Sequence, residues 1–309
     1  MVMKKISQEL LTRLKEHGYE GRIVSARHIP DLKAEIEKHH SLGLFDEEFY
    51  EEYLNCYLDF SPPQELSQAK SIIVVAAPQP QIEVIFNWEG ESHSLIMPPT
   101  YIGQVDEKVR VLLNRVLSTA GYKTAKAKLP LKLLAVRSGL GFYGRNNICY
   151  VPGMGSFHRL MAFYSDFPCS EDTWQEPKMN EVCEDCQSCL DNCPTRALRT
   201  ERFLLHAELC LTFHNEREKD FPDWLNPAWH HSLVGCLRCQ EVCPQNSELL
   251  SWIETKGEFS EEETSLLLKG IQQDKLPAET VRKLEELDLI EYLKIISRNL
   301  SAILKKKTN

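Results

Sequence analysis

EVCEDCQSCLDNCPTRAL, residues 181–198, places Cys183, Cys186, Cys189 and Cys193 close together and follows the last with Pro194. Two-residue gaps let a tight loop wrap three thiolates around one corner of a cubane. A fourth cysteine three residues on, ahead of a proline, is the ferredoxin-type spacing, in which that thiolate ligates the other of two clusters. A second run, VGCLRCQEVCPQN at 234–246, repeats the ending as Cys236-x-x-Cys239-x-x-x-Cys243-Pro244 but lacks a leading cysteine. Cys210, in HAELCLTFHN at 206–215, is the one unassigned cysteine of this region and the candidate for the missing ligand. The crossed arrangement assigns Cys183, Cys186, Cys189 and Cys243 to one [4Fe-4S] cluster and Cys193, Cys210, Cys236 and Cys239 to a second. Zinc is the alternative, because CxxC pairs also build zinc ribbons, and His206, His214, His230 and His231 are alternative ligands. Two runs that both end in CxxxCP favour iron-sulfur.

Two clusters in series carry single electrons to an acceptor, which cysteine spacing does not name. The other cysteines, Cys56, Cys149 and Cys169, are scattered and read as small buried hydrophobes. Eleven cysteines in a reducing compartment point to metal rather than to disulfides. The N-terminal MVMKKISQELLTRLKEHGYE is amphipathic, without the apolar core and cleavage site of an export signal. Apolar runs such as SIIVVAAP at 71–78 fall far short of the roughly 18 to 20 residues of a membrane-spanning helix. The expectation is a cytoplasmic protein with no membrane partner.

The 309 residues carry a net charge of -9, against a surface coated for nucleic acid. The charge is uneven. From Gln104 to Arg145 nine cations (Lys108, Arg110, Arg115, Lys123, Lys126, Lys128, Lys132, Arg137 and Arg145) face only Asp106 and Glu107, whereas Asp166 to Cys193 is strongly acidic. The basic stretch suits a phosphate-bearing ligand or a solvated face complementing the acidic segment.

Around the cysteine module the pattern is mixed. Helical periodicity runs over 6–17 and 103–120, with further helices expected in AEIEKHH (34–40) and FDEEFYEEYLNCYL (45–58). Strands are expected at 71–77, 82–87, near 147–151 and around 158–164. After Pro244 the chain reads as helix, with Ser260 and Glu263 as a capping box, Pro277 at a helix start and a basic tail KKKTN. The predicted organisation is an α/β (α+β) N-terminal domain at 1–178, a two-[4Fe-4S] ferredoxin-like module at 179–246 and a short helical C-terminal segment at 247–309.

RSGLGFYGRNNICYV (137–151), GSFHRLMAFYSDF (155–167), CEDCQSCLDNCPTRAL, LCLTF and VGCLRCQEVCPQN resemble, in order and spacing, the epoxyqueuosine reductases, which share a ferredoxin-type module with corrinoid-dependent reductive dehalogenases. The resemblance is specific from about residue 130 to 246; ISRNLSAIL at 296–304 is loosely similar to the end of shorter members. It implies a cobalamin beside the cluster module, bound along Gly139, Leu140, Gly141, Gly144, Arg145 and Asn146, with glycines letting backbone pass close to a bulky cofactor. A helix cap and turn account for some of these glycines equally well. It also implies a low-potential donor such as ferredoxin or flavodoxin, and removal of an epoxide oxygen from a modified tRNA base.

Two family features are missing. The segment that carries the family's proton-donating aspartate is here KTAKAKLPLKLLAVRSGLG, without a carboxylate between Glu107 and Arg145, and the Arg-x-x-x-Asp-Tyr-His motif is replaced by SLIMPPTYIGQVDEK. General acid catalysis needs a positioned donor; Lys126, Lys128, Tyr101 and Tyr143 are the candidates to replace it. Three readings stand: a relative acting on another substrate or reductively activating a corrinoid, with a corrinoid protein or tRNA as partner; a true epoxyqueuosine reductase; and a non-catalytic electron carrier.

Overall fold

The computed structural model describes residues 2–304, so the basic KKKTN tail lies outside the described residues. Nine strands are described: β1 Glu20–Ser25, β2 Ser71–Pro78, β3 Gln81–Trp88, β4 Glu91–Met97, β5 Thr124–Lys126, β6 Phe142–Tyr143, β7 Cys149–Tyr150, β8 His158–Ser165 and β9 Ile253–Phe259. They and the helices between them fall into two compact units.

The first unit gathers the chain up to Gln79, Gly103–Gln187 and Arg202–Leu204. Its four-stranded sheet has the order β1-β2-β8-β5, every neighbouring pair antiparallel. SIIVVAAP shows no polar alternation because both faces of β2 are covered. Ile72, Val74 and Ala76 pack with Val24, Ala162, Tyr164 and the helix Leu131–Arg137. Ile73, Val75 and Ala77 pack on the other face with Met161, Phe163 and the helices Val2–Glu16 and Gln104–Leu117. A small hairpin, β6–β7, follows the helix Leu131–Arg137.

The second unit takes Pro80–Ile102, Ser188–Glu201 and the chain from Leu205 onward. Its sheet has the order β4-β3-β9, with β3 antiparallel to β4 and parallel to β9. Ile82, Val84 and Phe86 of β3 meet Leu267, Leu284, Ile296 and Leu300 from the C-terminal helices Glu261–Leu268, Ala278–Glu286 and Leu293–Leu304, and Leu287 just after the second of these. Ser260 and Glu263 form the expected capping box. The division of the sequence at residues 178 and 246 is therefore not how the compact units are assembled: the β3–β4 hairpin belongs with the C-terminal helices. The architecture is mixed α/β, with the cysteine-rich segment between an N-terminal sheet and a helical C-terminus.

Candidate metal centre

Cys193, Cys210, Cys236 and Cys239 all belong to the second unit and come from three local structures. Cys193 follows the short helix Ser188–Asp191, its N–H donating to the Leu190 carbonyl. Cys210 precedes the helix Leu211–Glu216, and its sulfur accepts from the Thr212 N–H and hydroxyl and from the Phe213 N–H. Cys236 accepts from the Arg238 N–H, and Cys239 lies in the short helix Arg238–Glu241.

The four thiols act on one another. Burial raises the Cys210 thiol, and Cys193 raises it further. Burial, then Cys210, pushes Cys236 up to about 12. Cys239 is held well above the ordinary thiol value by burial, then by Cys236, Cys210, Cys189 and Cys193. Each of the four nevertheless keeps some accessible surface. Bare thiols crowded in this way resist ionisation; a bound cation reverses that balance, because a coordinating thiol is deprotonated outright. Among the described residues no group of three or more His, Cys, Asp or Glu side chains is gathered for a single metal ion. Thiolates around a cubane do not converge on one ion, so the fit to a cluster lies in the donor set: mutually close sulfurs, two of them accepting backbone N–H groups.

The remaining cysteines of the two runs are divided by the fold. Cys189 and Cys243 belong to the second unit, Cys183 and Cys186 to the first. In the first unit the hairpin β6–β7 anchors the approach to Cys183. The Tyr143 N–H donates to Lys178 O, the Asn180 N–H donates to Tyr143 O, and the Asn180 side chain caps the turn Glu181–Cys183. Arg145 completes this anchor, donating through Nε and Nη2 to Cys183 O at 3.1 and 2.6 Å and through Nη2 to Glu184 O at 3.0 Å.

The other residues expected at a cofactor serve the hairpin itself. Gly139 has φ +73° and closes the helix Leu131–Arg137. A Cβ on Gly141 would meet Tyr150 O at 2.5 Å, and one on Gly144 would meet the Tyr150 ring at 2.5 Å. Leu140 is in the core, and Asn146 is buried with its amide on the Tyr150 hydroxyl. Much of the basic stretch is paired within the unit: Arg110 pairs with Glu107, Lys126 with Asp106, and Arg137 with Glu35 and Glu176, while Lys132 donates to Asn147 O.

The histidines near the cysteines are engaged elsewhere. His206 bonds Glu208, His214 bonds Glu208 O, His230 packs on Phe221, and His231 accepts the Leu237 N–H. Sequence reasoning passed over three residues that support the sulfurs. Asn299, fully buried, donates to Asn215 O and Leu233 O, both at 2.8 Å, and Asn215 donates in turn to Gly235 O, beside Cys236. Glu216 accepts the hydroxyl of Tyr101. Asn299 falls inside ISRNLSAIL, whose single polar amide in an otherwise apolar helical stripe was the available signal.

Residues 182–246 match the 4Fe-4S double cluster binding domain. An epoxyqueuosine reductase of Synechococcus sp. (strain CC9605) is 32% identical over 153 residues, 47% of this chain and 46% of that one. Over this stretch the chain is similar to the epoxyqueuosine reductases. An epoxyqueuosine reductase of Staphylococcus aureus (strain NCTC 8325 / PS 47) is 25% identical over 261 residues, 79% of this chain and 65% of that one. The matches thus span less than two thirds of these epoxyqueuosine reductases. The fold is that of the Bacillus subtilis epoxyqueuosine reductase solved with its aspartate catalytic loop swung out of the active site: TM-score 0.70 at 23% identity, over 98% of this chain and 82% of that one. A second epoxyqueuosine reductase structure, with an epoxyqueuosine-modified tRNA-Tyr stem loop, gives a TM-score of 0.69 at 23% identity, over 98% and 81% of the two chains. Among the described residues no helix is long and apolar enough to cross a membrane.

Proposed function

We propose that the protein is an oxidoreductase that passes single electrons through two [4Fe-4S] clusters to an acceptor used in a reduction. Cys183, Cys186, Cys189 and Cys243 hold the first cluster; Cys193, Cys210, Cys236 and Cys239 hold the second. The observation that carries this reading is that thiols of both runs gather with Cys210 in the second unit, where Cys236, Cys210, Cys189 and Cys193 all act on Cys239. The electron source is a low-potential one-electron donor of the ferredoxin or flavodoxin class.

Cobalamin is the acceptor that the family likeness suggests. The side chains expected to hold it do not fit that role: Leu140 and Asn146 are inside the first unit, Arg145 is on the Cys183 and Glu184 carbonyls, Gly139 closes a helix, and Gly141 and Gly144 answer to the hairpin's own packing. A corrinoid would be met by backbone or by other residues. Titration with cobalamin tests this acceptor. A spectral change towards the base-off form supports it; an unchanged spectrum overturns it and leaves an electron carrier.

The substrate we propose is other than epoxyqueuosine, or is itself a corrinoid to be reductively activated. The support is the carboxylate-free stretch after Glu107, in which Lys126 is bound to Asp106 and Tyr143 is pushed far above the ordinary phenol value by burial. A true epoxyqueuosine reductase is the second reading, favoured by the names of the curated relatives. Expression in a strain that accumulates epoxyqueuosine separates the two: no queuosine is expected, and restored queuosine overturns the first reading in favour of the second.

A further inference from the structure

The helix Leu211–Glu216 begins immediately after Cys210 and ends at Glu216. Glu216 accepts the hydroxyl of Tyr101, which comes from the turn Pro99–Tyr101 after β4. The Tyr101 ring fills the space over Gly235: a Cβ there would meet Tyr101 Oη at 2.4 Å, and Gly235 has φ +67°. Gly235 immediately precedes Cys236. Its carbonyl is held by Asn215, the neighbour of Glu216. The carboxyl-phenol pair is thus tied to two sulfurs of one group, through the helix to Cys210 and through Gly235 to Cys236.

We propose that Glu216, hydrogen-bonded to Tyr101, is the proton partner of the second cluster, so that an electron entering the cluster is accompanied by a proton bound at Glu216. This rests on the two-cluster reading above. The step balances simply. A low-potential one-electron donor supplies the electron, solvent supplies the proton, and the products are the cluster one charge more negative and a neutral Glu216 carboxylic acid. Both are returned when the electron leaves.

The physical reason is that added negative charge in a poorly screened site favours the neutral form of a nearby acid. Burial already raises Glu216 to about 7, with the Tyr101 hydroxyl pulling the other way. Tyr101 in turn is raised by burial, then by Glu216, Tyr292 and Cys210. Tyr292 meets its ring edge-on at 5.8 Å. Cations next to Glu216 and on the helix Leu293–Leu304 face other groups: Arg217 lies over the Phe213 ring, Arg298 lies over Phe221, and Lys294 pairs with Glu218. Glu216 and Tyr101 both keep part of their surface accessible, which allows proton exchange with solvent.

The test is an EPR-monitored redox titration of the reconstituted full chain at a series of pH values on either side of neutrality, with iron content measured first. In the wild type, one cluster's reduction should become harder as the pH rises above neutrality. The limit is a tenfold fall in the reduction equilibrium constant per pH unit, about 59 mV for one electron. Glu216→Gln should carry as much iron and lose the pH dependence of that cluster. Tyr101→Phe should keep the dependence but move its onset to higher pH, because the hydroxyl that lowers Glu216 is gone; this variant also serves if Glu216→Gln does not fold. Full iron with a pH-independent wild type, or an unchanged slope in Glu216→Gln, overturns the inference alone. A chain without clusters overturns the two-cluster reading and this inference together.

Discussion

Replacing Asn299 by leucine should weaken the second unit around the sulfurs. Asn299 is fully buried on the helix Leu293–Leu304, and its amide nitrogen donates to Asn215 O and Leu233 O at 2.8 Å each. Leucine keeps the bulk and removes both donors. Each buried carbonyl left without a partner costs about 1–3 kcal/mol, so the loss is about 2–6 kcal/mol. A domain of intermediate size loses about 2–4 °C of melting temperature per kcal/mol, so even the low end predicts a fall of about 4 °C. Arg298 also loses the Asn299 side-chain oxygen as acceptor but keeps His214 O and the Phe221 ring, which limits the damage. The loops released are those of Asn215 and Gly235, next to Glu216 and Cys236. Thermal melts of reconstituted wild type and Asn299→Leu, with iron release to a chelator followed in parallel, should show a lower melting temperature and faster release. Identical melts and identical release would refute the proposed clamp.

Glu263 gives a pH-dependent effect with a defined sign. Burial alone would raise its carboxyl, but Lys283, the Ser260 N–H and Thr280 together hold it below the ordinary range. A depressed carboxylate stabilises the fold above its unfolded value of about 4.3 and loses that contribution as the pH falls through the folded value. Urea melts should therefore show a wild-type advantage over Glu263→Gln that is full at neutral pH and narrows in acid; a gap that persists in acid contradicts the capping-box account. Arg145→Gln removes the bonds to the Cys183 and Glu184 carbonyls. It should lower the iron retained by the first cluster while leaving the signals of the second, and equal retention of both would show that Arg145 does not position the Cys183 loop.

What the sequence revealed follows from where each signal is local. SIIVVAAP is legible as β2 because both faces are buried and every position is apolar or small. β9, IETKGEF, lies in the stretch after Pro244 that reads as helix, and shows no strand alternation because six of its seven residues keep accessible surface. It becomes a strand only by pairing with β3, which is remote in sequence. The run from Ala278 to Leu304 shows one helical period, yet it is interrupted after Glu286, where Asp288 takes φ +52°. In the site, the cysteine spacing is the legible signal of a double cluster domain, because cluster thiolates sit at short, fixed separations along the chain. Glu216 is silent, since FHNEREK looks like a surface helix end. Its phenol partner is Tyr101, in the turn after β4 and distant in the chain. The glycines of GLGFYGRNN are legible as tight, but the object that Gly141 and Gly144 approach is Tyr150 of the same hairpin.

The most direct test of the account is the iron content of the anaerobically reconstituted wild-type chain, measured together with zinc. Two cubanes predict about eight irons per chain and no stoichiometric zinc. Four irons or fewer, or one zinc for each group of sulfurs, would contradict it.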